Sequence, residues 1–350
     1  MNQIEKHDKM SFMEKIQQPE NNTRFVFEEQ FAKKEKFEVA GGTAEVVDIR
    51  PENAKTDVPV FFAPAWACTA KVYKPALERL SETNRRVISL NHPRIGGLSS
   101  ADLQAYKTRE EYPPEELRKA LSILDVLEQK GIEKVDVITH SEAAINVAIA
   151  ATLHPEKFRN IVFFAPAGMI GEDTFSRLLK GFKGQSKRPP SLNATVHEDG
   201  SAGFAEIPIT ETQKQVGAKA FTEVLKYFAK NPVRAINETL NISKSQIHTM
   251  LRYLHERGIG IVVMASVDDP VFPMDKMQEI AKADMLDGFL SVRGGHGMIG
   301  EHPELYVTAA EQMLSALEAK KQKNSIRILP TRAAPPHQTD REDGQKIRSD

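Results

Sequence analysis

At 350 residues, 40 % of them apolar and 27 % charged, the chain has an ordinary globular composition and is long enough for one large α/β domain with an insertion or for two modest domains. Its 47 basic and 48 acidic residues leave a net charge of −1, which gives no electrostatic footing for nucleic acid or an anionic membrane as partner. The single cysteine, Cys68, excludes an internal disulfide and suits a reducing compartment, and no stretch reaches the roughly 18 apolar residues of a membrane helix. No apolar run of the kind a signal peptide carries follows the charged start Met1 to Lys9, so a cytoplasmic protein is expected.

Residues 1–22, ending in Gln17-Gln18-Pro19-Glu20-Asn21-Asn22, are polar and without pattern, and a flexible segment is expected there. Strand-like runs follow near Phe25 to Phe31 and near Thr43 to Ile49, with Gly41-Gly42 as the turn before the second. Val58-Pro59-Val60-Phe61-Phe62-Ala63 is almost wholly apolar and reads as a strand buried on both faces. From here helix and strand alternate. Lys71 to Ser81 has helical spacing, and Arg86 to Leu90 is a second buried strand. Pro113-Pro114 opens a helix with Leu117, Leu121, Leu124 and Leu127 on one face, which Gly131 ends. Then come the strand Val135 to Thr139, an apolar helix Ala143 to Leu153 and the strand Asn160 to Ala165. This rhythm predicts an α/β protein with a mostly parallel, doubly wound sheet.

Between about Gly168 and Gly258 the rhythm breaks. A Gly/Lys/Pro-rich loop from Lys180 to Pro190, a second loop around Asp199-Gly200 and helix-like segments at Lys214 to Lys230 and Ser243 to Arg257 replace it. The sheet resumes with Gly260 to Ala265 and Gly288 to Val292, and Pro303 to Lys320 makes a closing helix. The organisation expected is a core over 23–167 and 259–320, a helical insertion over 168–258 and a flexible tail over 321–350.

The strand Val135 to Thr139 runs straight into His140-Ser141-Glu142-Ala143-Ala144 and a helix. A serine at such a junction is lifted above the carboxyl edge of the sheet, at a helix N-terminus whose dipole and free N–H groups favour developing negative charge. An ordinary helix cap would also put a serine here. The segment resembles the G-x-S-x-G elbow of the α/β-hydrolase family, with Thr139 and Ala143 in place of the two glycines. Further along, Ser266-Val267-Asp268-Asp269-Pro270-Val271-Phe272-Pro273 and Gly294-Gly295-His296-Gly297-Met298 resemble that family's acid loop and histidine loop, in the same order Ser…Asp…His.

The resemblance implies a catalytic triad of Ser141, Asp269 and His296 on an α/β-hydrolase fold with a helical cap. Asp268 is the neighbouring candidate, and both aspartates also fit a turn-and-cap role. It further implies an oxyanion hole built from the backbone N–H of Glu142 and, from the loop Pro64-Ala65-Trp66-Ala67-Cys68-Thr69, that of Trp66. Asn91 to Ser99 resembles the family's D-x-x-G-x-G-x-S loop, with a bracing role expected for it. His140 is expected to pack rather than react, and Cys68 to play no nucleophilic part. The Glu142 carboxylate is expected either to cap its helix or to steer substrate. Trp66 reads as pocket wall or ordinary packing, and Lys180, Lys183, Lys187 and Arg188 as a solvated loop or an anion site.

The activity implied is hydrolysis of an ester or related small carbonyl substrate through an acyl-enzyme. Carbon–carbon hydrolysis or acyl transfer with the same residues, and ligand binding without turnover, stay open because fold does not dictate reaction. No G-x-G-x-x-G follows the first strands and no metal-ligand spacing is present, so no cofactor is expected.

Overall fold

Five short runs of β-branched and aromatic residues, Val60–Ala63, Val87–Asn91, Val135–His140, Phe158–Phe164 and Gly260–Ser266, are buried almost residue for residue. Strands apolar on both faces must be covered on both, and parallel strands joined through helices achieve this. The computed structural model describes residues 26–327 except 95, 107–111, 172, 186–191, 197–201, 207–210 and 283.

In chain order the chain forms α1 (26–32), β1 (Glu35–Val39), β2 (Gly42–Ile49), β3 (Val60–Ala63), α2 (Lys74–Ser81), β4 (Val87–Asn91), α3 (Ser100–Tyr106) and α4 (Pro114–Gln129). There follow β5 (Val135–His140), α5 (Ala143–Leu153), β6 (Phe158–Phe164), α6 (Phe175–Gln185), β7 (Leu192–Val196), β8 (Ala202–Glu206), α7 (Glu211–Lys230), α8 (Pro232–Lys244) and α9 (His248–Glu256). The chain closes with β9 (Gly260–Ser266), α10 (Met274–Ile280), β10 (Gly288–Val292), α11 (Met298–Glu301) and α12 (Pro303–Arg327).

Eight strands make one sheet in the order β1-β2-β4-β3-β5-β6-β9-β10. Only the β1–β2 and β2–β4 pairs are antiparallel. Alternation along the strands divides the core. Phe61, Val137, Phe163 and Val263 face one layer, with α4, α5 and α9, whereas Phe62, Ile138, Val162 and Val262 face the other, with α2 and α12. Each fully buried phenylalanine contributes roughly 1.5–3 kcal/mol. The helix α5, Ala143–Leu153, is buried on nearly all sides, which explains why its sequence is apolar without a polar face.

The edge of the sheet where β5 and β6 begin is closed by charge. Arg85, wholly buried, pairs with Asp136, Glu311 and Glu318, and Arg159 joins Asp136 and Glu318. At the opposite edge, where the parallel strands end, lie the loops that carry Trp66, Ser141 and Asp268-Asp269.

Several expectations need correction. The described part of the Phe25–Phe31 run is helical, because Phe27 and Phe31, one turn apart, stack at 5.6 Å on one face. The following segment, Glu35–Val39, supplies the edge strand instead. Within the insertion, β7 and β8 form a separate antiparallel pair, and Lys180 to Gly184, expected as loop, lies in α6. An additional helix, α8, precedes α9, and the two are interrupted at 245–247 where one helix over Ser243 to Arg257 was expected. The last helix continues seven residues past Lys320, to Arg327. The segment 1–22, the loop at Asp199-Gly200, Lys187 and Arg188 lie outside the described residues. Among the described residues no helix is long and apolar enough to cross a membrane.

Candidate active site

Ser141 follows β5 directly and has φ = 60°, a left-handed conformation that costs a non-glycine residue roughly 1–2 kcal/mol. Three backbone bonds hold it there. Its N–H donates to the Phe164 carbonyl at 3.1 Å, and its own carbonyl accepts from Ala144 and Ala167, each at 3.1 Å. The turn therefore delivers the hydroxyl to the N-terminus of α5. Thr139, standing where a glycine is usual, fits as a buried strand residue in register with the small Ala63 of β3.

His296 Nε2 lies 2.9 Å from Ser141 Oγ, and His296 Nδ1 lies 2.8 Å from Asp269 Oδ2. The three side chains, drawn from three loops, form one hydrogen-bonded chain. Asp269 is held by its other oxygen, which accepts from Val271 N–H at 2.7 Å and Phe272 N–H at 3.1 Å. Asp268 points elsewhere. Its carboxylate accepts from Gly294 N–H at 3.1 Å and its own N–H donates to the Gly294 carbonyl at 2.9 Å, so it braces the histidine loop. Gly294 has φ = 104°, and a Cβ there would fall 2.6 Å from Met298 Cγ, so only glycine fits. Ser141, Asp269 and His296 are 3 %, 4 % and 5 % exposed, respectively. Phe272 and Phe182 wall the imidazole, with ring centroids 5.3 and 6.2 Å away.

His140 does more than pack. Its Nε2 lies 2.7 Å from the His296 carbonyl and its Nδ1 2.5 Å from the Tyr73 hydroxyl. A carbonyl can only accept, so Nε2 carries the proton and Nδ1 accepts from the phenol. Asn91 braces as expected, accepting from Ala70 N–H at 2.8 Å. Burial pushes the Cys68 thiol up to about 12, which makes it a poor nucleophile.

Neither Trp66 N–H nor Glu142 N–H hydrogen-bonds to another group among the described residues. Their side chains are fully engaged. Glu142 makes no capping bond and does not face solvent. Its carboxylate is buried against Lys119 of α4 instead of serving the cap role expected for it. Lys119 also reaches Glu238 of α8 at 3.0 Å, and Arg118 lies 3.8 Å from the same carboxylate. Glu238 accepts from the Trp66 indole N–H at 2.8 Å and from the Tyr227 hydroxyl at 2.7 Å. Trp66 is thus both packed, edge-on to Tyr227 and Phe228, and hydrogen-bonded. A small cavity of about 30 Å³ beside this cluster is lined by Arg94, Lys119, Glu142 and Tyr227, among others.

The carboxyl of Glu116, also wholly buried, has no donor directed at it. Burial and the neighbouring Glu142 charge push it well above the usual carboxylate range, so that it keeps its proton and donates toward Glu142. Lys119, and at longer range Arg118, then face two charged carboxylates, Glu142 and Glu238. Folding binds this proton more tightly than the unfolded chain does. Wild type should therefore lose stability relative to Glu116→Gln as pH rises from the ordinary value of 4.5 toward the raised folded value. The expected gap grows by at most ~1.4 kcal/mol per pH unit. Urea melts of both proteins at pH 5 and pH 8 check this, and a gap that does not change would mean Glu116 is not held neutral.

Of the residues singled out from sequence, the structure brings Ser141, Asp269 and His296 together and sets Trp66 and Glu142 beside them. It adds Tyr73, Glu116, Lys119, Tyr227 and Glu238. Glu116 and Lys119 share α4 with Glu115, Arg118, Asp125 and Glu128, so nothing in the local sequence sets them apart. Among the described residues no group of three or more histidine, cysteine or carboxylate side chains is placed to hold a metal ion.

No protein-family model matches the chain, and no curated protein matches it significantly in sequence. Solved structures match it in fold. A serine hydrolase involved in carbazole degradation is similar with a TM-score of 0.55 over 81 % of this chain and 100 % of that one, at 16 % identity. A serine hydrolase from Cycloclasticus zankles matches with a TM-score of 0.54 over 81 % and 98 %, at 13 % identity. A structure from a study of carboxylesterases of Nitrososphaera gargenis matches with a TM-score of 0.56 over 82 % and 100 %, at 16 % identity. With its mostly parallel eight-stranded sheet, the chain has the α/β-hydrolase fold.

Proposed function

We propose that this protein is a serine hydrolase that cleaves an ester or a related small carbonyl compound through an acyl-enzyme on Ser141. The observation that carries the proposal is the continuous hydrogen-bonded chain from Ser141 Oγ through His296 to Asp269, with the serine on a strained turn at a helix N-terminus. The names of structurally similar proteins, serine hydrolases and carboxylesterases, support it.

In the first half-reaction Ser141 Oγ attacks the carbonyl carbon while His296 Nε2 takes the hydroxyl proton. Asp269, fixed by two backbone donors, keeps the proton of Nδ1 facing it and stabilises the imidazolium. The tetrahedral oxyanion is received by the free N–H groups of Glu142 and Trp66. Collapse expels the alcohol, which leaves with the proton held by His296. Water then attacks the acyl-enzyme by the same route, releasing the acid and restoring Ser141. The insertion between β6 and β9 serves as a cap: Phe182 of α6 walls His296, and the three reacting side chains are almost free of solvent. Excluding water strengthens each of these electrostatic contacts.

A fluorophosphonate probe with intact mass spectrometry tests the reading. Wild type should gain one adduct, and Ser141→Ala should gain none. A folded wild-type protein that takes up no probe would rule out an activated serine and turn attention to ligand binding without turnover.

A further inference from the structure

The two residues that offer free N–H groups to the oxyanion come from different parts of the sheet edge. Glu142 opens α5, and Trp66 lies in the turn after β3, next to Ala67 in a left-handed conformation with φ = 56°. A helix fixes the first N–H. A turn fixes the second only as well as its side chains allow. The far end of that turn is held by the Cys68 N–H bond to the Ala65 carbonyl at 3.0 Å and by Arg94 on the Ala67 carbonyl at 3.2 Å. Among the described residues the one polar tether at Trp66 itself is the indole N–H bond to Glu238, at 2.8 Å. Glu238 in turn sits 3.0 Å from Lys119, and Lys119 is paired with Glu142.

We propose that Lys119 and Glu238 are positioning residues for the oxyanion hole: through the Glu142 carboxylate on one side and the Trp66 indole on the other, they clamp together the two residues whose N–H groups receive the oxyanion. The inference rests on the reading of Ser141 as nucleophile. The clamp is dry, with Lys119 5 % exposed, Trp66 8 % and Glu142 2 %, while Glu238 is completely covered. Burial raises the Glu238 carboxyl, but the Lys119 charge and the bonds from Tyr227 and Trp66 outweigh it and keep the group ionised. Such a network holds one geometry or fails altogether. Because Glu238 belongs to α8, the oxyanion hole is complete only when the insertion is seated on the core.

The test uses two substitutions that keep shape. Trp66→Phe retains the backbone N–H and the aromatic packing but removes the indole donor. Glu238→Gln keeps an oxygen for Trp66 and Tyr227 but turns an amide N–H toward the Lys119 ammonium. Fluorophosphonate inactivation is followed for wild type, each variant and the double variant, over a range of pH, with circular dichroism to confirm folding.

Each single variant should lower the limiting inactivation rate by about 10-fold or more, leaving the half-saturating probe concentration within about threefold. The double variant should be no slower than the worse single variant by more than about twofold, since either change breaks the same chain from Trp66 to Lys119. The acid limb of the pH profile should not move. If Glu238→Gln does not fold, Trp66→Phe decides alone. An unchanged limiting rate, a loss confined to half-saturation, multiplied effects in the double variant or a shifted acid limb would each overturn the clamp. A wild-type protein without adduct would overturn the reading of Ser141 itself, and is seen before any variant is made.

Discussion

Asp269→Asn should lower the turnover of a short nitrophenyl ester by about 10⁴-fold without unfolding the protein. The size of the effect follows from how the carboxylate is held. One oxygen accepts from two backbone N–H groups, those of Val271 and Phe272, at 2.7 and 3.1 Å. An asparagine must keep its carbonyl oxygen there, because an amide nitrogen would face two donors. Its NH₂ group then occupies the other position, 2.8 Å from His296 Nδ1. Facing a donor, Nδ1 gives up its proton and Nε2 takes one. The nitrogen beside Ser141 can then no longer accept the hydroxyl proton. Asp268→Asn provides the control: that side chain accepts from Gly294 N–H rather than from His296, and the expected loss is within about tenfold. Comparable losses at the two positions would count against Asp269 as the orienting acid.

Lys119→Met should destabilise the fold by about 3–5 kcal/mol, measured as the free energy of urea unfolding from the fluorescence of Trp66, the single tryptophan. The substitution removes a cation from among Glu142, Glu238 and Glu116, all of them buried. Arg118, 3.8 Å from Glu238 and also engaged with Glu115, compensates at most one of them. Methionine is close to lysine in volume, so the loss measures uncompensated charge rather than a cavity. Combining it with Glu142→Gln removes both members of one pair, and most of the lost stability should return. A loss below about 1 kcal/mol in the single variant would show that these charges are solvated rather than paired.

The parts of this protein legible in its sequence are those with local signatures. Val60–Ala63, Val135–His140 and Gly260–Ser266 announce buried parallel strands because every residue in them is covered. Ser141 and His296 stand just past strand ends, and local sequence records that. Short runs with two plausible periods misled. The segment around Phe27 and Phe31 suits a strand by composition and a helix by its spacing of four, and packing on the core decided for the helix. The cluster about Lys119 was illegible for a different reason. Glu238 is 172 residues from Trp66 along the chain, and no periodicity links the two. Of the two roles expected for Glu142, capping its helix is the local option for a carboxylate in a first turn. Its actual partner belongs to α4.

Two imidazoles stand side by side in this site, their centroids 4.9 Å apart, yet only one is available for proton traffic. His140 is bound at both ring nitrogens, giving its proton to the His296 carbonyl and receiving that of Tyr73. Burial, reinforced by the nearby His296, holds it well below the usual histidine range. It therefore works as a fixed strut with the hydrogen-bonding capacity of an amide. A proton that enters has one address, and the backbone carrying that address is pinned by the neighbour that cannot take it.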